Sequence, residues 1–202
     1  PLALAGKDLI AQASTGSGKT AAFGLPVVEK LTANFHAVQA LVMCPTRELA
    51  DQVTTEIRRL ARATANIKVV TLCGGVALRG QEQSLQHGAH VVVGTPGRIL
   101  DHLTRGNLRL DSVKTLVLDE ADRMLDMGFY DDMKQLIAQC PAQRQTLMFS
   151  ATYPEGIAKL SAQFMRDPQT VKVQTVHAAD KIRQVFYEVR EDERLHAVSL
   201  LL

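Results

Sequence analysis

The amino-acid sequence predicts an α/β domain with a mostly parallel β-sheet and helices on both of its faces. Short apolar runs alternate along the chain with segments of helical periodicity, which is the pattern of successive βαβ units. The runs at residues 40–44 and 90–93 are apolar at almost every position, as strands covered on both faces are. The chain has 202 residues, enough for one well-buried domain of this class with a remainder.

The elements follow one another in a regular order. The first strand is expected at residues 8–12, and a glycine-rich turn then leads into a helix over residues 18–31. Thr46 can cap the second helix, whose apolar stripe is formed by Leu49, Val53, Ile57 and Leu60. Further strands are expected at residues 40–44, 68–73, 90–93, 115–118, 145–149 and 170–173, and further helices at 78–86, 99–103, 124–127, 130–138 and 154–164.

A change of pattern after residue 176 predicts a domain boundary. Residues 1–176 form the predicted domain, and the polar residues 177–183 are interpreted as a linker. Residues 184–189 have the composition of a further strand, and an apolar stripe follows on a predicted helix at Leu195, Val198, Leu201 and Leu202. We expect residues 184–202 to be the truncated start of a second domain, and the chain to be a fragment of a longer protein.

Composition and charge argue against several classes of protein. The formal net charge is +2, so a nucleic-acid site would have to be a local cluster of basic groups. Cys44, Cys73 and Cys140 are scattered and form no C-x-x-C pair, so we expect buried reduced thiols and no zinc site. The chain shows neither a signal peptide nor an apolar run of about 18 residues, which predicts a cytoplasmic protein without a membrane partner.

A phosphate-binding loop is predicted between the first strand and the first helix. Gly16 and Gly18 allow successive backbone N–H groups to point at phosphate oxygens. Lys19 adds a positive charge, and the Thr20 hydroxyl can ligate Mg²⁺. The general sequence pattern of phosphate-binding loops begins with glycine, whereas this chain has Ala13 at that position. The alternative is a Gly/Ser turn that caps an ordinary helix. The whole loop reads Ala13, Ser14, Thr15, Gly16, Ser17, Gly18, Lys19 and Thr20.

Two acidic residues follow the strand expected at residues 115–118. Asp119 can hold Mg²⁺ directly or through water, and Glu120 can then orient or deprotonate an attacking water. The alternative is that both acids are favoured by the positive end of a helix dipole. Because the carboxyl ends of parallel strands meet at one edge of a sheet, we expect these acids to lie beside the loop.

Further stretches at strand ends carry groups that suit contacts to phosphates. These stretches offer hydroxyls, arginines, glycines or helix N-termini, and each of them also fits ordinary turn and capping chemistry. They are residues 45–50, Gly74-Gly75 and residues 95–98. The hydroxyls of Ser150 and Thr152 also follow a strand, and they could simply cap the helix that begins near Pro154. No platform of aromatic residues for reading bases is evident.

The order of these motifs resembles the first RecA-like domain of the DEAD-box RNA helicases. The motifs A-S-T-G-S-G-K-T, P-T-R-E-L-A, G-G, T-P-G-R, D-E-A-D and S-A-T follow one another at spacings similar to those of the family. The resemblance covers roughly residues 1–176, and the family also has alanine at the position of Ala13. Residues 72–75, 84–87 and 119–129 are most similar to the bacterial DbpA-type subgroup.

The resemblance implies a role for each motif, and a RecA-like P-loop NTPase fold for the domain. Residues 13–20 would bind ATP and Mg²⁺, with Asp119 serving the metal ion and Glu120 the hydrolytic water. Asp122, Ser150 and Thr152 would couple the state of the nucleotide to separation of RNA strands. One RNA strand would be held by its sugar-phosphate backbone through Pro45, Thr46, Arg47, Gly75, Thr95, Gly97 and Arg98. The subgroup implies ribosomal RNA or pre-ribosomal particles as partners.

Two parts of the family pattern are not found in this sequence. The family's adenine-reading segment, with its glutamine, lies upstream of the loop, and a second RecA-like domain supplies arginines to the γ-phosphate. Such an arginine is worth about 10³–10⁵-fold in rate, so we expect this chain alone to hydrolyse ATP very poorly. The alternatives are an ATP-gated RNA clamp or scaffold, a P-loop ATPase that acts on DNA or protein, and, least favoured, a purely structural domain.

Overall fold

The computed structural model describes residues 1–13, 17–64, 66–173, 185 and 187–201, with side chains up to residue 200. These residues form one seven-stranded sheet with the order β3-β4-β2-β5-β6-β1-β7. Every neighbouring pair of strands is parallel, which confirms the predicted sheet. The strands are β1 Leu9–Gln12, β2 Ala40–Met43, β3 Val69–Leu72, β4 Val91–Gly94, β5 Thr115–Leu118, β6 Gln145–Ser150 and β7 Gln169–Lys172.

Helices cover both faces of the sheet, as predicted. Phe23 and Ile57, on the first two helices, belong to the apolar cluster on one face. Met124, Leu136 and Leu160, on later helices, belong to the cluster on the other face. The helices are α1 Lys19–Glu29, α2 Arg47–Leu60, α3 Leu78–Gln86, α4 Pro96–Thr104, α5 Ala121–Asp126, α6 Tyr130–Gln139, α7 Glu155–Phe164 and α8 Arg194–Leu201.

The strand expected at residues 184–189 is not observed. Gln184 and Phe186 lie outside the described residues, as does the whole predicted linker, and residues 185 and 187–190 are not in a strand. An apolar run becomes a strand only where a neighbouring strand can pair with its backbone, and no described strand pairs with this one. The helix predicted after it is present as α8, with Leu195 and Val198 exposed.

One register row crosses the whole sheet close to its carboxyl edge. Each residue of this row is paired with its neighbour on the adjacent strand, in the order Leu72, Gly94, Met43, Leu118, Met148, Ile10 and Thr170. Except on β7, which carries no predicted motif, every sequence motif begins within three residues of this row. The topology therefore brings all six motifs to one edge, as expected.

The three cysteines are free and buried, which confirms the prediction of reduced thiols in the core. Burial raises the pKa of the Cys44 and Cys140 thiols, that of Cys140 to about 11, so these thiols stay protonated and unreactive at neutral pH. Within the described residues, no helix is both long and apolar enough to cross a membrane.

Asp8 fixes the start of β1, the strand that leads into the predicted loop. Its side chain is 5% exposed. One carboxylate oxygen accepts the backbone N–H of Thr146 at 2.8 Å, and the other accepts the N–H of Arg166 at 2.7 Å. Asp8 thus joins β1 to β6 and to the turn before β7, so the position of the loop depends on this carboxylate.

We expect Asp8→Ala to lower the free energy of unfolding by about 2–4 kcal/mol, because two backbone N–H groups would lose their acceptor. Urea denaturation measures the change. Asp111→Ala is the matched control, since Asp111 is exposed and pairs with Arg109 on the surface, and it should cost less than about 0.5 kcal/mol. Equal losses in the two variants would contradict this role for Asp8.

Candidate functional site

The predicted phosphate loop connects β1 to α1. Ala13 is buried, and its N–H donates to the Ser150 carbonyl at 3.2 Å. Ser14, Thr15 and Gly16 lie outside the described residues. Gly18 precedes α1 with φ of 83°, a left-handed conformation that favours glycine. Gly18 itself has no side chain with which to cap α1, and the first N–H groups of a helix are suited to an anion.

Asp119 lies next to this loop and is almost completely buried, at 2% exposure. Burial raises the pKa of its carboxyl from the ordinary 3.8 to about 6, with Glu120 adding to the rise and the Lys19 ammonium opposing it. Lys19, the first residue of α1, therefore lies near enough to the end of β5 for its charge to act on this carboxyl. The structure therefore brings the predicted lysine and the predicted metal ligand together.

Glu120 has an unusual backbone conformation for a residue with a side chain, with φ and ψ both 51°. Its N–H donates to Asp119 Oδ1 at 3.0 Å, and its Oε2 accepts from Arg123 Nη1 at 3.3 Å. Although Glu120 is the residue before α5, its side chain makes no capping hydrogen bond. The helix-dipole alternative therefore fits Asp122, in the first turn of α5, better than it fits Glu120. Left-handed strain of this kind costs about 1–3 kcal/mol and concentrates at functional sites.

Asp122, Ser150 and Thr152 form a hydrogen-bonded cluster between α5 and the end of β6. The Asp122 N–H donates to Ser150 Oγ at 3.2 Å, and Asp122 Oδ2 accepts from both the N–H and the hydroxyl of Thr152 at 2.8 Å. Burial alone would raise the pKa of Asp122, but these hydrogen bonds hold it below its ordinary value. The suggestion that the two hydroxyls cap α7 is wrong, because α7 follows Pro154 without a side-chain cap.

A second group of predicted residues meets at the ends of β2 and β3. Thr46 Oγ1 accepts the Leu49 N–H at 3.3 Å and caps α2, as predicted. Gly75 has φ of 74°, and a Cβ placed on it would lie 3.6 Å from Arg47 Nη1. Pro45 is buried, so it can shape the start of α2 but exposes little surface to a ligand.

The end of β4 completes this second group. Thr95 precedes α4, and its side chain makes no capping hydrogen bond. Arg98 Nη1 donates to the Val76 carbonyl at 3.1 Å, next to Gly75. Gly97 lies close to α6, where a Cβ would be 3.5 Å from Asp132 Oδ2. The two groups occupy adjacent parts of one edge, since β3-β4-β2 carry the second group and β5-β6-β1 carry the loop, the acids and the hydroxyl cluster.

An apolar cavity of 490 Å³ lies beside the loop, and no sequence motif predicts it. The cavity reaches from Ser17 and Lys19 to the exposed side chains of Leu4, Leu25 and Val173. Its wall combines residues from the chain start, β1, α1 and the end of β7. No local pattern could reveal it, because each lining residue is ordinary in its own segment.

Comparison with known proteins agrees with this geometry. The sequence profile of the DEAD/DEAH box helicases matches residues 1–160. The chain belongs to the DEAD/DEAH box helicase family. It is 53% identical over its whole length to the ATP-dependent RNA helicase DbpA of Escherichia coli and covers 44% of that protein. It is 48% identical to the DEAD-box ATP-dependent RNA helicase CshA of Geobacillus kaustophilus and covers 43% of it.

Solved structures of DEAD-box proteins have the same fold. A DEAD box protein from Methanococcus jannaschii superposes with a TM-score of 0.82 at 42% identity, and the match covers 100% of this chain and 54% of the other. A hypothetical ATP-dependent RNA helicase from Sulfolobus tokodaii gives 0.78 at 40% identity, covering 86% of this chain and 50% of the other. The predicted RecA-like fold is confirmed. The chain spans less than half the length of the DEAD-box relatives DbpA and CshA.

We expect the burial of Asp119 to cost this DEAD-box domain stability. Because the folded domain binds a proton at Asp119 more tightly than the unfolded chain does, this cost is nearly absent below about pH 4, where the carboxyl is protonated in the folded domain, and it is fully present once the pH has risen through about 6. Asp119→Asn should therefore raise the free energy of unfolding at neutral pH by up to ~3 kcal/mol, and change it little at about pH 4.

Urea denaturation across this pH range in magnesium-free buffer measures the effect. Asp122→Asn is the matched control with the opposite sign, since the hydrogen bonds that lower the pKa of Asp122 favour its charged form. That variant should be less stable than the parent at neutral pH. A shift of both variants in the same direction would contradict this account of Asp119.

Proposed function

We propose that this chain is the ATP-binding domain of an ATP-dependent RNA helicase that separates short RNA duplexes. The observation that carries the proposal is that two groups of residues lie side by side at one edge of the sheet. A loop lysine and a buried carboxylate lie at the ends of β1 and β5, and a group of arginines and glycines lies at the ends of β2, β3 and β4. A nucleotide and a nucleic-acid backbone could therefore bind side by side at this edge of the sheet.

The loop region suits the phosphates of ATP. The N-terminus of α1 favours negative charge, and Lys19 adds a cation where the terminal phosphates would lie. A buried carboxylate and a hydroxyl are the hard oxygen ligands that Mg²⁺ prefers, so Asp119 and Thr20 fit that ion. The bound ion would neutralise charge on the phosphates, and it would also relieve the desolvated carboxylate of Asp119.

Glu120 is suited to act on the attacking water. Its carboxylate follows Asp119 directly, and its backbone is held by the hydrogen bond from its own N–H to Asp119 Oδ1. A carboxylate in that place can accept a proton from, or orient, a water molecule that attacks the terminal phosphate. Arg123 Nη1 also donates a hydrogen bond to the Glu120 carboxylate.

The second group suits a sugar-phosphate backbone. Arg47 and Arg98 can each make charge-assisted hydrogen bonds to a phosphate. The exposed Gly75 allows close approach of a strand, and α2 and α4 begin at this edge. Contacts of this kind position a strand without reading its sequence. The Asp122–Ser150–Thr152 cluster lies at the ends of β5 and β6, between the loop after β1 and the second group, which begins at β2. This position supports a role in coupling the two.

An ATP-gated RNA clamp would use the same residues and is kept as the second candidate. Slow product release in the intact protein would favour the clamp over the helicase. The resemblance to the DbpA-type subgroup favours ribosomal RNA or pre-ribosomal particles as the source of the bound strand. Separation of strands would also need a second RecA-like domain to complete the site.

We expect Mg·ADP and Mg·ATP to bind to this chain and not to Lys19→Ala, because the variant lacks the cation beside the phosphates. Calorimetric titration measures the binding. Lys159→Ala is the matched control, since Lys159 pairs with Glu155 on the surface of α7, and the affinity of this variant should equal that of the parent. Equal binding to parent and Lys19→Ala would contradict the placement of the nucleotide, and no binding to either would show that these residues do not suffice.

We expect Arg98→Ala to weaken binding of short single-stranded RNA. The slope of the logarithm of the affinity against the logarithm of the salt concentration should fall by about one, as it does when one phosphate contact is lost. Fluorescence anisotropy over a range of salt concentrations measures both quantities. Arg109→Ala removes an exposed arginine at the opposite edge of the sheet and should leave them unchanged. Equal affinity for single-stranded DNA of the same sequence would favour a DNA-directed ATPase instead.

A further inference from the structure

A buried glutamine on α3 connects two of the residues proposed to hold the RNA strand. Gln81 is 7% exposed. Its Oε1 accepts from Arg98 Nη1 at 3.1 Å and lies 3.0 Å from His102 Nε2. Its Nε2 donates to the Cys73 carbonyl at 2.9 Å, immediately before Gly74-Gly75. One side chain therefore contacts both the arginine of α4 and the turn after β3.

Only one orientation of this amide satisfies its neighbours. If oxygen and nitrogen were exchanged, the amide N–H groups would face the Arg98 donor, and the amide oxygen would face the Cys73 carbonyl. Both contacts would then be repulsive. The arginine and the carbonyl therefore determine which way the amide points.

His102 also contacts the Gln81 side chain. It is fully buried, and because Gln81 Oε1 is an acceptor, Nε2 must carry the proton that it shares with Gln81. Its Nδ1 is buried and has no hydrogen-bond partner among the described residues. Burial and the nearby Arg98 charge lower the pKa of His102, so the imidazole stays neutral. His102 thus donates a hydrogen bond to the glutamine oxygen, whose orientation Arg98 and the Cys73 carbonyl already determine, and it adds no charge of its own.

The turn after β3 is held at both of its ends. The Cys73 carbonyl accepts from Gln81, and the Val76 carbonyl accepts from the same Nη1 of Arg98 that contacts Gln81. Gly75 lies between these two carbonyls, with its left-handed backbone exposed. In the described part of the chain, Arg98 makes its side-chain hydrogen bonds through Nη1, which leaves Nε and Nη2 for a ligand.

We propose that Gln81 is a positioning residue, which aims Arg98 and the Gly74-Gly75 turn at the same RNA strand. The inference rests on the proposed function, because it assumes that this edge binds RNA. Gln81 itself is too buried to touch the strand. It acts by joining two contacts that the sequence places about twenty residues apart, so that Arg98 and Gly75 approach the backbone as one unit.

The decisive variant is Gln81→Met, which keeps the length and approximate volume of the side chain and removes its amide. We expect it to weaken binding of single-stranded RNA by about 5- to 30-fold. In the Arg98→Ala background the same change should have much less effect, because the group that Gln81 aims is already missing. Gln83→Met, at an exposed position of the same helix, should leave the affinity unchanged.

A second variant separates positioning from stability. His102→Leu removes a buried hydrogen bond but keeps the contacts of Gln81 to Arg98 and to Cys73. It should lower the urea midpoint and still bind RNA within about threefold of the parent. Equal loss of RNA affinity in Gln81→Met and His102→Leu would overturn the proposal. So would a full, additive effect of Gln81→Met in the Arg98→Ala background.

Nuclear magnetic resonance without RNA tests the same point independently. In Gln81→Met, the Gly75 amide should exchange faster with solvent, and the Arg98 Nε–H signal should move or broaden, while Gln83→Met shows neither change. Unchanged signals would overturn the positioning role, whatever the RNA data show. If these signals change but Arg98→Ala binds RNA normally, it is the proposed RNA function that fails.

Discussion

Parallel pairing of all seven strands is the constraint on which the rest of the structure depends. In an antiparallel sheet, successive motifs would alternate between opposite edges. Here every strand is followed by a connection that returns to the starting edge, so each carboxyl end faces the same side. The register row from Leu72 to Thr170 brings segments that lie far apart in the sequence within reach of one ligand surface. The loop, the acids and the arginines need no long-range contacts of their own to meet.

The site is built at some cost in stability. Asp119 is buried where its charge is poorly solvated, and Glu120 adopts a backbone conformation that its side chain disfavours. Both conditions persist because the strands and helices around them are tightly packed, as Leu118 and Ala121 at 0% exposure show. A group that is held desolvated before the ligand arrives gains from a cation more than an exposed carboxylate would. The desolvated carboxylate of Asp119 and the strained backbone of Glu120 therefore fit a site that becomes more stable when a ligand binds.

Much of the fold and of the candidate site followed from local pattern. Apolar runs located the strands, helical periodicity located α1 to α8, and the Thr46 cap on α2 was foreseen at its residue. The strand expected at residues 184–189 was wrong over its described part, because pairing depends on a neighbour that a local pattern cannot reveal. The alternative that the Ser150 and Thr152 hydroxyls cap the following helix failed for a similar reason. They face α5, which is distant in the sequence, and not the helix that follows them.

The sequence by itself determined which elements form and which residue types stand at their ends, because backbone propensity, apolar period and glycine geometry are local properties. It thereby determined the motifs of the DEAD/DEAH box family and their order. Only the tertiary structure decided which of these residues touch. The buried contacts of Gln81 to Arg98 and Cys73, the cavity beside Lys19 and the raised pKa of Asp119 all arise from packing between distant segments. Desolvation and hydrogen-bond geometry depend on neighbours in space, and those neighbours are not encoded at any one position of the chain.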